Sequence, residues 1–171
     1  LAGIALTYGG NVFYKFLIEQ KDKLYLKKTF GTYISPALID QMFRDKKKPT
    51  LGGKQGIYTA FFTDIQSFST FSEKLPPERL VELLNEYLTA MTEILLNNKG
   101  TLDKYWGDAI IAFFGAPVDL QDPEYLACLT CCQMNNKLDM LRNKWKSEGD
   151  KWPALVHNMR HRIGINCGSL V

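Results

Sequence analysis

Thr101-Leu102-Asp103-Lys104-Tyr105-Trp106-Gly107-Asp108-Ala109-Ile110-Ile111-Ala112-Phe113-Phe114 is the stretch that decides the fold. Its two halves are rich in aromatic and branched residues, and Gly107-Asp108 between them carries turn chemistry. The pattern predicts two strands, 101–106 and 109–114, joined as a hairpin. Upstream, Ile57 to Thr63 is a near-continuous apolar run of strand length, with Asp64 directly after it and 44 positions before Asp108.

Helical patterns fill the spaces between these runs. Pro76-Pro77-Glu78 begins a segment whose apolar residues Leu80, Leu83, Leu84, Tyr87, Leu88, Met91, Ile94 and Leu95 recur at helical spacing. Asn97-Asn98-Lys99-Gly100 ends it, and Gly100 is the expected left-handed cap. A second long helix is predicted over Pro123 to Trp145, a loop over Gly149 to Asn158, and a fourth strand over Arg162 to Asn166, ending in Cys167-Gly168. Strand, helices, strand, strand, helix, strand is the ferredoxin-like or palm order of an α+β fold. It gives one antiparallel sheet with helices on one face and sets the first strand beside the hairpin. Asp64 and Asp108 are thereby expected at one edge of that sheet.

A chain of 171 residues with 46% hydrophobic residues supplies one good core and a short appendage. The net charge of +3 is unevenly spread: residues 1–50 hold nine Lys/Arg against four Asp/Glu, and the remaining 121 hold twelve against fourteen. A basic front on a mildly acidic body argues against a nucleic-acid binder, whose basic groups spread over the folded surface. It suits a stretch beside a membrane. Cys128, Cys131 and Cys132 fall on one helical face and are expected as core thiols in a reducing compartment. His157 and His161 lie four apart, but no HExxH glutamate follows His157, so a metal pair there is disfavoured.

The first fourteen residues are uncharged and apolar, too few to span a bilayer, which takes roughly 20. With no initiator Met, residues 1–18 are expected to be the end of a membrane segment; an amphipathic helix packed on the body is the competing reading. Residues 19–49 are expected as a signalling helix and connector, with Ser35-Pro36 starting a helix over Ala37 to Phe43. Arg44 to Gly56 reads as a linker, and residues 50–171 as the catalytic domain, on the cytoplasmic side.

An ionised carboxylate at the end of an apolar strand needs a partner, and two of them suggest a shared cation. Oxygen ligands without a nearby His or Cys favour Mg2+ or Mn2+, two ions forming a clamp for in-line phosphoryl chemistry. The small polar pair Gln66-Ser67 is expected to turn backbone N–H groups toward a phosphate, with the dipole of the following helix assisting.

Phe61-Phe62-Thr63-Asp64-Ile65-Gln66-Ser67-Phe68-Ser69, Thr101 to Ala109, and Arg162-Ile163-Gly164-Ile165-Asn166-Cys167-Gly168 together resemble the class III nucleotide cyclases, from about residue 50 onward. Phe30-Gly31-Thr32-Tyr33-Ile34-Ser35-Pro36 is similar to the connector of bacterial cyclases that follow a transmembrane sensor. The resemblance implies that Asp64, Asp108 and the carbonyl of Ile65 ligate two metals. One ion would activate the ribose 3′-hydroxyl and the other would hold the triphosphate. It further implies that Phe68, Ser69 and Gly107 belong to the substrate site, with Ser67 standing where the family usually has Gly. Lys104 matches the position that reads the purine. An ammonium donates to N1 of adenine, whereas the protonated N1 of guanine repels it, so ATP is the implied substrate and cyclic AMP the product.

By the same resemblance the site forms between two chains, which implies a homodimer. A second base-reading residue, a ribose-orienting Asn and a transition-state Arg fall beyond Val171, so the chain is expected to be part of a longer enzyme, or inactive alone. A guanylate cyclase and a non-catalytic nucleotide-binding or dimerisation module are the alternatives. A diguanylate cyclase is not, because its Gly-Gly-Asp/Glu-Glu-Phe hairpin is absent.

Overall fold

The computed structural model describes residues 2–30, 40 and 55–170, which fall in two compact units, residues 1–50 and 51–171. In the first unit, helix α1 (Ala2–Phe30) runs without interruption through Gly9-Gly10. Tyr8, Val12, Phe13, Tyr14, Phe16, Leu17 and Ile18 are all exposed along it. No helix among the described residues is long and apolar enough to cross a membrane. The expected helix start at Ser35-Pro36, and the linker up to residue 54, lie outside the described residues.

The second unit has the predicted order. Strand β1 (Gly56–Ile65) leads through the short helix α2 (Phe68–Lys74) to helix α3 (Pro77–Asn97), then to the hairpin of β2 (Thr101–Trp106) and β3 (Ala109–Phe114). Helix α4 (Pro123–Ser147) follows, then a 3-10 turn (Gly149–Lys151), the one-turn helix α5 (Ala154–His157) and strand β4 (His161–Leu170). The sheet order is β2-β3-β1-β4, antiparallel throughout. β1 and β4 extend past their predicted ends, and the expected 149–158 loop contains the two short helical turns.

Alternation along β1 sends Thr59, Phe61, Thr63 and Ile65 into the core, together with Ile110, Ala112 and Phe114 of β3. α3 covers them with Leu83, Tyr87, Met91 and Leu95, and α4 with Ala127, Met134, Leu138 and Trp145. The opposite face of the sheet is left open among the described residues, with Phe62 51% exposed and a groove of about 460 Å³ beside Tyr58, Phe113 and Leu170. Both core tryptophans have their N–H groups satisfied: Trp145 donates to Glu86 at 3.0 Å and Trp152 to Glu148 at 2.6 Å.

Two expectations are corrected here. Cys128, Cys131 and Cys132 share a helical face that only borders the packed one: Cys131 is half-buried against the core, as expected, while Cys128 and Cys132 are not core thiols. Ala127, Thr130, Met134, Leu138, Leu141 and Trp145 form the buried stripe of α4, and Cys128 and Cys132 are exposed. The left-handed residue after α3 is Lys99 (φ 65°), not Gly100. Lys99 N–H bonds Leu96 carbonyl at 3.0 Å and Gly100 N–H bonds Leu95 carbonyl at 2.9 Å, the paired bonds of a Schellman ending.

Gly100 is required for space instead. A Cβ there falls 2.4 Å from Leu95 Cδ1 and 2.9 Å from Phe114 Cζ, both in the core. Gly100→Ala is expected to destabilise the unit by about 1–3 kcal/mol through overpacking. A lowered urea midpoint at unchanged slope is the expected reading; a midpoint equal to that of the parent chain removes the packing argument.

Candidate active site

β1 and the hairpin bring the two carboxylates to one end of the sheet. Asp64 is the penultimate residue of β1, on the open face, and Asp108 sits in the β2–β3 turn beside Gly107. Gly107 holds φ 63°, a conformation that glycine supplies without strain. Asp108 Oδ2 accepts a hydrogen bond of 2.8 Å from the N–H of Ile65, so the turn is tied directly to the end of β1. Asp64, Ile65 and Asp108, the three expected metal ligands, are therefore together.

Arg162, the cross-strand partner of Asp64 on β4, was not singled out by the sequence reading. Its Nε donates to Asp64 Oδ1 at 2.8 Å and its Nη2 to Oδ2 at 2.6 Å. The spacing of apolar residues carries no signal for it. The open-face register of β4 against β1 does.

Ser67 and α2 shape the other side. Ser67 adopts a left-handed conformation, φ 59° and ψ 38°, where a glycine would relieve about 1 kcal/mol of strain. Phe68 and Ser69 begin α2 directly after it, so their N–H groups belong to a first turn that has no intrahelical acceptors. The expectation for Gln66 is corrected: its N–H bonds the carbonyl of Arg160 at 2.9 Å and does not face a phosphate.

Lys104 reaches the open face through a β-bulge. Leu102 pairs with Ala112 and is buried, so regular alternation would turn Lys104 toward the helices as well. The register shifts between Leu102 and Lys104, leaving Asp103 as the extra residue and pairing Lys104 with Ile111. Ile111 in turn pairs with Phe62, so Lys104 shares the open face with Asp64. Its ammonium pairs with Asp103 at 3.2 Å. Tyr105, displaced to the helix side, hydrogen-bonds Thr92 at 2.8 Å.

Beneath the carboxylates lies Tyr87, fully buried, with its hydroxyl 3.0 Å from His161 Nδ1. Burial pushes its phenol well above the ordinary range, and the charges of Asp108 and Asp64 push the same way, so it stays protonated. His161 Nε2 lies 3.2 Å from Asn135 Oδ1, and burial lowers the pKa of the imidazole. Both ring nitrogens of His161 are thus engaged in hydrogen bonds.

An antiparallel palm-like sheet carrying two strand-end carboxylates against an exposed face is the framework of a nucleotide-processing domain. The family described as "Adenylate and Guanylate cyclase catalytic domain" matches residues 54–171. Adenylate cyclase 1 of Rhizobium meliloti (strain 1021) is 32% identical over 144 residues, covering 84% of this chain and 21% of that protein. The crystal structure of the adenylyl cyclase CyaB from P. aeruginosa is 35% identical with a TM-score of 0.63, covering 70% of this chain and 59% of that one. The guanylyl cyclase Cya2 is 30% identical with a TM-score of 0.62, covering 70% of this chain and 57% of that one. This chain belongs to the class III nucleotide cyclase family.

Proposed function

We propose that this chain carries the catalytic domain of an adenylate cyclase that converts ATP to 3′,5′-cyclic AMP and pyrophosphate by two-metal-ion catalysis at a homodimer interface. The observation that carries the reading is the junction of Asp64, Ile65 and Asp108 at the end of β1, with Lys104 on the same open face of the sheet. The donor set fits Mg2+ or Mn2+: two carboxylates and a backbone carbonyl, all oxygen, with Asp64 39% exposed and so reachable. Two such ions supply charge neutralisation for in-line attack of the ribose 3′-oxygen on the α-phosphorus, with pyrophosphate leaving.

The chain's own residues do the rest by position. Asp64 and Asp108 fix the cations relative to the first turn of α2, where Phe68 and Ser69 meet phosphate oxygens. Lys104 donates to N1 of adenine across the interface with a second copy. The exposed apolar face around Phe62 and Trp106, the latter 75% exposed, supports that pairing, since an uncovered apolar patch of this kind marks an interaction surface. The uncharged apolar stretch before Lys15, followed by the basic residues of α1, supports a placement beside a membrane, with the catalytic unit in the cytoplasm.

A second reading, guanylate cyclase, is favoured by the 30% identity to Cya2. The complete protein, supplied with Mn2+ and either ATP or GTP, separates the two: cyclic AMP from ATP is expected, and cyclic GMP as the dominant product overturns the adenine assignment.

A further inference from the structure

We propose that Arg162 is a displaceable counter-ion of Asp64 that sets how readily the site accepts a divalent cation; this rests on the metal reading of Asp64 and Asp108. The pair is bidentate, each carboxylate oxygen of Asp64 taking one guanidinium N–H, at 2.8 and 2.6 Å. Such a fork satisfies the carboxylate in the geometry that a cation would use. The fork occupies one lone pair on each oxygen of Asp64, so a cation that chelates both oxygens from that side competes directly with the guanidinium. A guanidinium left beside a doubly charged ion then repels it.

The exchange is physically open to this side chain. Arg162 is 66% exposed, and the cavity it lines with Phe62, Trp106 and Gly164, about 430 Å³, gives it room to swing. An exposed ion pair is weak enough to trade for a stronger partner. Among the described residues no cation is hydrogen-bonded to Asp108: its Oδ2 accepts a backbone N–H that a metal-bound carboxylate can keep. The two carboxylates therefore differ, Asp108 being held by a backbone N–H and Asp64 by a positive charge that opposes a cation. With no cation bound, the same pair neutralises Asp64 and keeps it beside the cavity.

Binding of Mn2+ alone to the full chain, followed by the loss of the free-ion electron paramagnetic resonance signal, tests this without turnover. Arg162→Gln is expected to bind Mn2+ about three- to tenfold tighter than the parent chain, since both the competing bonds and the repelling charge are gone. Arg162→Lys, which keeps the charge but cannot engage both oxygens at once, is expected to fall between. Asp64→Asn is expected to lose most of the binding. Unchanged or weaker Mn2+ affinity in both Arg162 variants, with Asp64→Asn still defective, overturns the counter-ion role and leaves the metal site standing. Equal affinity in the parent chain and Asp64→Asn overturns both.

Discussion

Asp64→Ala or Asp108→Ala in the complete protein is expected to lower Mn2+-supported cyclase turnover on the order of 10³-fold or more. The size follows from what each carboxylate does in the proposed site: it holds cations that neutralise charge developing on the transferred phosphorus and on the leaving pyrophosphate. The two variants are expected to differ in stability. Asp108→Ala removes the acceptor of the half-buried Ile65 N–H, a loss of about 1 kcal/mol. Asp64→Ala breaks only an exposed ion pair, worth roughly 0–1 kcal/mol. Activity therefore collapses in both while melting temperature falls measurably only in Asp108→Ala. Turnover within tenfold of the parent in either variant sinks the metal assignment. Equal melting losses sink the distinction between the two carboxylates.

The sheet was legible in the sequence because its strands are written in apolar runs with a glycine turn between two of them. Thr101–Trp106 and Ala109–Phe114 form over the predicted residues, and α3 follows the helical spacing from Leu80 to Leu95. Once the strand order is known, the meeting of Asp64 with Asp108 follows from chain topology. What stayed hidden depends on relations that a one-dimensional pattern does not contain. Arg162 acquires its role only through the Asp64↔Arg162 register across two strands that are far apart in sequence. Cys128, Cys131 and Cys132 have helical spacing, yet spacing alone does not say which face of α4 packs. Gly100 carried a cap signal, and the structure uses it as a gap for Leu95 and Phe114 while Lys99 takes the left-handed turn.

The bulge at Asp103 was the most informative omission, and it left a trace. Leu102 and Tyr105 both face the helices, a separation of three where regular alternation demands two, so one residue between them must be looped out. Because Asp103 is looped out rather than paired, Lys104 stands on the sheet face that carries Asp64. Its proposed role in base reading therefore depends on that register as much as on the side chain.

Lys104→Glu is expected to lower kcat/KM for ATP by about 10–100-fold and to raise the relative use of GTP. An ammonium donates to the unprotonated N1 of adenine, while a carboxylate accepts from the N1–H of guanine and is left without a donor opposite adenine. Because Lys104 pairs with neighbouring Asp103 at an exposed position, the exchange is expected to leave the fold intact, with a melting temperature close to that of the parent. Lys104→Gln, which has both a donor and an acceptor, is expected to lose discrimination without inverting it. An ATP/GTP preference equal to the parent's in both variants removes Lys104 from base reading. Deleting Asp103 offers a separate check on the bulge: with the extra residue gone, regular alternation from Leu102 keeps Lys104 on the open face, and a retained ATP preference is the expected result. Lost preference in a folded deletion variant means that base reading also needs the local twist of the bulge.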